Sequence, residues 1–347
     1  MDSIRYQVRV SSLRETSDLV VGDNLEALLR DSRLGDAITF EDTSAYHYRI
    51  VDFIPSGKDL SSGHKYQQCM PIASLQQYPE AIMRFGSLFG SSRLWLRDSR
   101  HRDIRTRIRR AMTFTNPLLN DISSSIASIL TEDTRFLGAH VRVGDGEFKE
   151  KAQRNVRHVW QSLVQDIALL EQEVVKELDE LVWNFHDQSR QPLSGHRWDE
   201  RRDNVRCRRP SHRDPRLQAL NTPLFIATDV ANPSSSPFIE PVLRTFPCTF
   251  FLSDFLTTSG IPETSDAASP FEVATTHPEL SALASRLRIL RNPRDNLLLL
   301  PFLIPLIDAF VISRANGVVG TPGSTFSAYV EDVLWRVQQG LSIAERG

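Results

Sequence analysis

The sequence is short of cysteine and of lysine, and it has no surplus of either charge. Three cysteines (Cys69, Cys207, Cys248) cannot make a disulfide framework, and none sits in a Cys-x-x-Cys pair, so the redox compartment stays open. Lys+Arg 41 against Asp+Glu 43 gives a net charge of −2, which argues against a nucleic-acid protein held by bulk charge. Arginine dominates the basic residues, a bias that coding base composition alone can produce. No leader with charged and apolar regions opens the chain. The longest apolar run, 297–312, contains Pro301, Pro305 and Asp308 and is too short for a clean span, so a buried helix and a soluble chain are expected. The motif of a P-loop is absent, as are a dinucleotide fingerprint after a strand, a Gly-x-Ser-x-Gly elbow, any Asp-x-Asp and any His/Cys cluster at metal-ligand spacing. Any diphosphate bound here would have to be stabilised by protein groups rather than a metal.

What remains is a globular composition, 40% hydrophobic and 24% charged, at a length that suits two domains. Up to residue 130 the pattern is mixed. Residues 37–40 and 48–53 read as short strands, 102–112 and 118–130 as helices separated at Asn116-Pro117, and the Gly/Ser-rich 85–93 as a loop or tight turn. Few strands are expected there, and 1–130 reads as a partial N-terminal domain. From 131 to 347 the pattern becomes strand, turn, helix. Strands are expected at 135–143, 223–229, 248–252 and 317–320, with helices over 156–183, 297–313 and 326–338. That alternation predicts an α/β domain with a mostly parallel sheet covered on both faces. Residues 190–216 hold nine arginines and two histidines against four acids, and read as a solvated basic insertion. A basic arm for an acidic partner is the other reading, but stacking on nucleic acid is unsupported because Trp198 is the segment's lone aromatic.

Ligands of open α/β sheets bind beyond the carboxyl ends of the strands, and polar groups converge at those ends here. Alternation along 135–143 puts Leu137, Ala139, Val141 and Val143 on one face and Gly138, His140 and Arg142 on the other. Arg142, at the tip of a strand expected to be central, needs a partner: an anionic ligand, or a structural ion pair with Asp145 or Asp229. His140 alone reads as a structural histidine that could orient Arg142. At the last strand end, Gly320-Thr-Pro-Gly-Ser-Thr-Phe-Ser327 runs straight into a helix. Ser324 or Thr325 can cap that helix, and its first amides favour a phosphate. An ordinary capped turn has the same sequence; the combination with Arg142 suggests a diphosphate clamp.

These residues resemble a known family. Gly138-Ala-His-Val-Arg-Val-Gly-Asp145 resembles the His-x-Arg-x-Gly/Asp motif of the GDP-fucose protein O-fucosyltransferase-like group, and 320–327 is similar to the Ser-Thr-Phe-Ser/Thr element closing the same site. Phe225-Ile-Ala-Thr-Asp229 resembles the strand and acidic residue between them. The resemblance covers roughly 134–340, and 40–130 looks like the latter part of the family's acceptor domain. It implies a GT-B fold of two Rossmann-like domains, the N-terminal one incomplete, and inverting transfer of fucose from GDP-fucose to a protein or glycan hydroxyl without a metal cofactor. Arg142 would hold the β-phosphate and stabilise the departing GDP. His140, Gly144, Asp145, Ser324, Thr325, Phe326 and Ser327 would complete the donor site, with Asp229 near the nucleoside. The family's opening strand and Gly-rich, Asn-containing loop have no counterpart before residue 40, and its membrane anchor is likewise not seen. An inactive nucleotide-sugar-binding remnant is therefore the alternative expectation. The family works, membrane-tethered, in the lumen of the secretory pathway, with a nucleotide-sugar donor and a protein or glycan acceptor as partners.

Overall fold

A computed structural model describes residues 37–40, 47–56, 66–79, 82–85, 93–113, 115–131, 135–183, 207–256, 277–293 and 295–344. The chain divides into two compact units, Met1–Ile108 with Glu345–Gly347, and Arg109–Ala344. The boundary lies upstream of the expected 130/131. Helix Pro117–Thr131 buries Leu119, Ile122, Ile126 and Leu130 in the core of the second unit, so its apolar stripe belongs there.

The first unit contains more strand than its sequence suggests. β1 (Ala37–Phe40) pairs in parallel with β4 (Ile82–Phe85), and β2 (Tyr48–Val51) lies between β3 (Gln68–Pro71) and β5 (Leu94–Trp95), again all parallel. Phe40, Tyr48, Ile50 and Met70 form its small core. β3 begins Gln-Cys and β5 has two residues, so neither carries a readable alternation. α1 (Ile72–Leu75) is a single turn, and α2 (Ser99–Ala111) follows β5. Asp52, at the carboxyl end of β2, accepts the Arg97 and Asp98 amides at 2.8 and 2.9 Å and His101 Nδ1 at 3.0 Å, which ties the start of α2 to the sheet. Most of the Gly/Ser-rich 85–93 lies outside the described residues.

The second unit is a doubly wound α/β domain. β6 (Leu137–Val141), β7 (Leu224–Thr228), β8 (Thr249–Phe250) and β9 (Gly317–Gly320) form a parallel sheet in the order β8-β7-β6-β9. Its predicted alternation holds. Leu137, Ala139, Val141 and Val143 face α5 (Ala152–Ser162) and α6 (Gln172–Trp183) through a core containing Val156, Trp160 and Ile226, while the short α4 (Gly146–Glu150) buries no residue. Phe225 and Ala227 face the opposite layer, built from Pro117–Thr131 (α3), Pro278–Arg288 (α8) and Leu300–Ser313 (α9). Between these layers in sequence lies α7 (Glu240–Thr245), whose Thr245 accepts Trp160 Nε1–H at 2.7 Å, satisfying the polar atom of a fully buried indole. Gly138 is needed where α9 crosses: a Cβ there would lie 2.9 Å from Ile312 Cγ2.

Two expectations need correction. Residues 156–183 are not one helix: α5 runs into a π-helical turn at Leu163–Ile167, and Leu169, at φ 55°, reverses the chain before α6. No glycine marks the break, so nothing in the composition signals it. The end of the basic segment is also no solvated insertion. Residues 190–206 lie outside the described residues, but 207–216 are fastened down. Cys207 is disulfide-bonded to Cys248, Arg208 Nη2 donates to both carboxylate oxygens of Asp254 at 2.5 and 2.7 Å, and buried His212 bonds the Thr245 carbonyl. Arg208 therefore serves as a clamp beside β8, whereas Arg213 and Arg216 are exposed as expected.

Candidate functional site

Strands β6, β7 and β8 are laid down in one direction, and β9 then returns to the other side of β6. The winding reverses between β6 and β9, and at such a reversal the connections leave a crevice at the carboxyl ends. The two motifs singled out in the sequence end at this reversal.

Thr321 holds the two strand ends together. Its hydroxyl donates to the His140 carbonyl at 3.1 Å and accepts the Arg142 amide at 2.9 Å, while its own amide reaches Ser327 Oγ at 3.0 Å. Ser324 caps the following helix, α10 (Thr325–Tyr329), by accepting the Ser327 amide at 3.3 Å, and Gly323 takes φ 78° to start the turn. The helix continues through Val330–Trp335 to Arg336–Gln338. Gly320 is obligatory, because a Cβ would sit 2.4 Å from Ser327 Cβ, and its amide donates to Glu331 at 2.5 Å.

His140 is buried, shares a 2.6 Å hydrogen bond with Ser327 Oγ and packs its ring 4.8 Å from that of Phe326. Burial pushes its pKa down to about 4, with Arg142 adding to the effect and Asp229 opposing it. It is thus a neutral packing group at pH 7. Arg142 projects into the crevice with a third of its side chain exposed. Its Nε and Nη2 contact Asp145 at 3.3 and 2.7 Å, its Nε lies 3.9 Å from Asp229, and the guanidinium stands 5.4 Å over the Phe148 ring. Asp229 accepts the Val143 amide at 2.9 Å, and Gly144 leaves it room: a Cβ would fall 2.9 Å from Asp229 Cγ.

The structure therefore brings His140, Arg142, Gly144, Asp145 and Asp229 together with 324–327 at one sheet edge, but gives them unequal roles. The hydroxyls of Ser324 and Ser327 turn inward and brace the turn. Asp229 fixes the loop after β6. Gly144, Asp145, Pro322, Gly323 and Thr325 are exposed, and Arg142 is partly so. Thr321 lies within the motif read from the sequence but was given no role of its own, and Phe148 was not signalled, because a phenylalanine in a charged turn is ordinary. Among the described residues, no group of three or more His, Cys, Asp or Glu is placed to hold a metal ion, and no helix is long and apolar enough to cross a membrane.

Asp308 is a further residue that the sequence did not flag for function. It lies on α9, is buried, and its Oδ1 has no hydrogen-bond partner among the described residues. Burial pushes its carboxyl well above the usual range, so it resists ionising. The end of α9 leads to Asn316, whose amide bonds the Phe136 carbonyl at the base of β6, so the helix runs against the strands. Ile312 packs on Gly138, and Asp308, one turn earlier, stands about 6 Å nearer the carboxyl ends. An unfolded aspartate ionises near pH 4 whereas this one stays protonated, so unfolding releases a proton and stability falls as pH rises above about 4. Asp308→Asn is expected to melt higher than the native chain at pH 8, with the gap closing as pH drops to about 4. Thermal melts across that range check this; a gap independent of pH would show that Asp308 is ionised in the fold.

Comparison of the chain with protein-family models, curated proteins and solved structures finds no match.

Proposed function

We propose that the chain is a GDP-fucose-dependent fucosyltransferase of GT-B type, transferring fucose with inversion to a protein or glycan hydroxyl. The observation that carries this reading is the meeting of Arg142 and the Thr321–Ser327 turn from opposite sides of the β6/β9 reversal. A diphosphate seated there would receive the guanidinium from one strand and the first amides of α10 from the other. As the C1–O bond to GDP breaks, negative charge grows on the β-phosphate, and Arg142 is the group that would stabilise it. The acceptor oxygen attacks C1 from the opposite face as GDP leaves, and its proton passes to solvent water. The Cys207–Cys248 disulfide agrees with a secretory lumen, where such bonds persist.

Asp145 must yield for this to happen. Its side chain is 63% exposed, and an exposed ion pair contributes only about 0–1 kcal/mol, so a diphosphate carrying two negative charges displaces it at small cost. A second reading, a nucleotide-sugar-binding protein without turnover, is favoured by one observation: His140, the histidine of the motif, is buried, engages Ser327 through Nδ1 and has its pKa pushed down to about 4, which makes it a weak base for an acceptor proton.

Calorimetric titration with GDP-fucose, with and without magnesium, tests the donor site. Binding is expected in both, with equal affinity. Binding that requires magnesium, or none by the folded protein, would remove the donor assignment. Release of GDP in the presence of acceptor proteins then separates the enzyme from the binding protein.

A further inference from the structure

Helix α4 has little to hold it: it is a single turn and buries no residue. Asp145 precedes it in the N-cap position, at φ −136° and ψ 158°, the extended backbone that a capping residue takes. Yet the Asp145 side chain makes no capping bond; its carboxylate is turned to Arg142 Nη2 at 2.7 Å. The amides of Glu147 and Phe148 lie in the first turn, where no carbonyl of the helix can reach them. Arg142 also stands 5.4 Å over the Phe148 ring, so one guanidinium engages both the residue before α4 and the middle of the helix. The Asp145 side chain, 63% exposed, is free of packing that would fix its rotamer.

From this we infer that Asp145 is a two-position switch: it pairs with Arg142 or, once an anion claims the guanidinium, it caps α4. An exposed ion pair shifts an equilibrium by at most about fivefold, and an aspartate N-cap by about fivefold, so neither position wins by a wide margin. A small change at Arg142 therefore decides between them. A diphosphate supplies that change, because its bidentate contact with the guanidinium outcompetes a single exposed carboxylate. Once released, Asp145 needs only side-chain rotation to reach the amides of its own helix, whose dipole favours the charge. Anion binding and the order of α4 are thereby coupled, and by reciprocity whatever stabilises the capped helix raises the anion's affinity. For the identity of the anion this inference rests on the donor-site reading; the switch rests only on Arg142, Asp145 and α4.

The test is hydrogen exchange of the Glu147 and Phe148 amides in the full chain, corrected for the intrinsic rate of each sequence and measured first without added anion. Arg142→Ala frees the carboxylate, so the better protected of the two amides is expected to exchange about fivefold more slowly than in the native chain. Asp145→Asn should do the same, because asparagine caps as well as aspartate but pairs poorly with a guanidinium. Adding Asp145→Ala to Arg142→Ala should abolish the gain. In the native chain, GDP-fucose should slow the same amide. Exchange in Asp145→Asn as fast as in the native chain overturns the proposal, whether or not the arginine variant folds. GDP-fucose that binds by calorimetry without slowing the amide overturns it as well. If GDP-fucose does not bind while the variants show the expected slowing, the donor reading falls and the switch stands.

Discussion

Alanine at Arg142 is expected to weaken GDP-fucose binding about a hundredfold or more, a loss of about 3 kcal/mol, without lowering the melting temperature by more than a few degrees. The magnitude follows from the ligand's chemistry: a bidentate guanidinium–phosphate contact in a crevice is charge-assisted on both sides. The small effect on stability follows from exposure. Arg142 is a third exposed and pairs with an aspartate that is more exposed still, so its removal leaves no buried charge stranded. Asp145→Asn makes the contrast. With its competitor neutral, the guanidinium is easier to recruit, and donor affinity is expected to hold or rise. If both substitutions abolish binding, the Arg142–Asp145 pair is itself the structural element the donor needs. If neither changes it, the phosphate lies elsewhere.

Serine at Cys207 is expected to cost about 4 kcal/mol, because the Cys207–Cys248 bond spans 41 residues and closing a loop of that size removes much unfolded-chain entropy. For a unit of this size that is a fall of about 10 °C in melting temperature. The same drop should appear when the native protein is melted in reductant, and the Cys248→Ser variant should match it. The bond also sets the position of Arg208, next in sequence, whose guanidinium clamps Asp254 beside β8. Calorimetric melts that coincide with and without reductant would show that the bond contributes nothing.

The disulfide illustrates what a sequence of this kind conceals. Two cysteines in a set of three, outside any spacing motif, look inert; only the fold, which sets Cys207 against Cys248 beside β8, makes them partners. The donor-side strands were legible for a different reason. Buried parallel strands read as short apolar runs, and the alternation from Leu137 to Val143 sets His140 and Arg142 on the face opposite the apolar one. The inward turn of Ser324 and Ser327 was not legible, since a serine that caps and a serine that binds phosphate occupy the same position relative to a helix. Nor was the bend at Leu169, where an ordinary leucine adopts a left-handed conformation that composition favours for glycine. In the first unit the strands are two to four residues long, below the length at which any periodicity can be counted.

The separation of β6 and β9 along the chain has a consequence for biogenesis. The hydrogen bond from Thr321 to the His140 carbonyl joins groups 181 residues apart, and β9 is synthesised after the other described strands. Until it emerges from the ribosome, β6 presents an open edge, and the crevice at its tip has only one wall. Such distant parallel pairing forms slowly, so the nascent chain spends its longest vulnerable interval with that edge exposed. A product released before residue 317 would keep Arg142 and most of its sheet, yet would have neither the turn nor the helix start opposite.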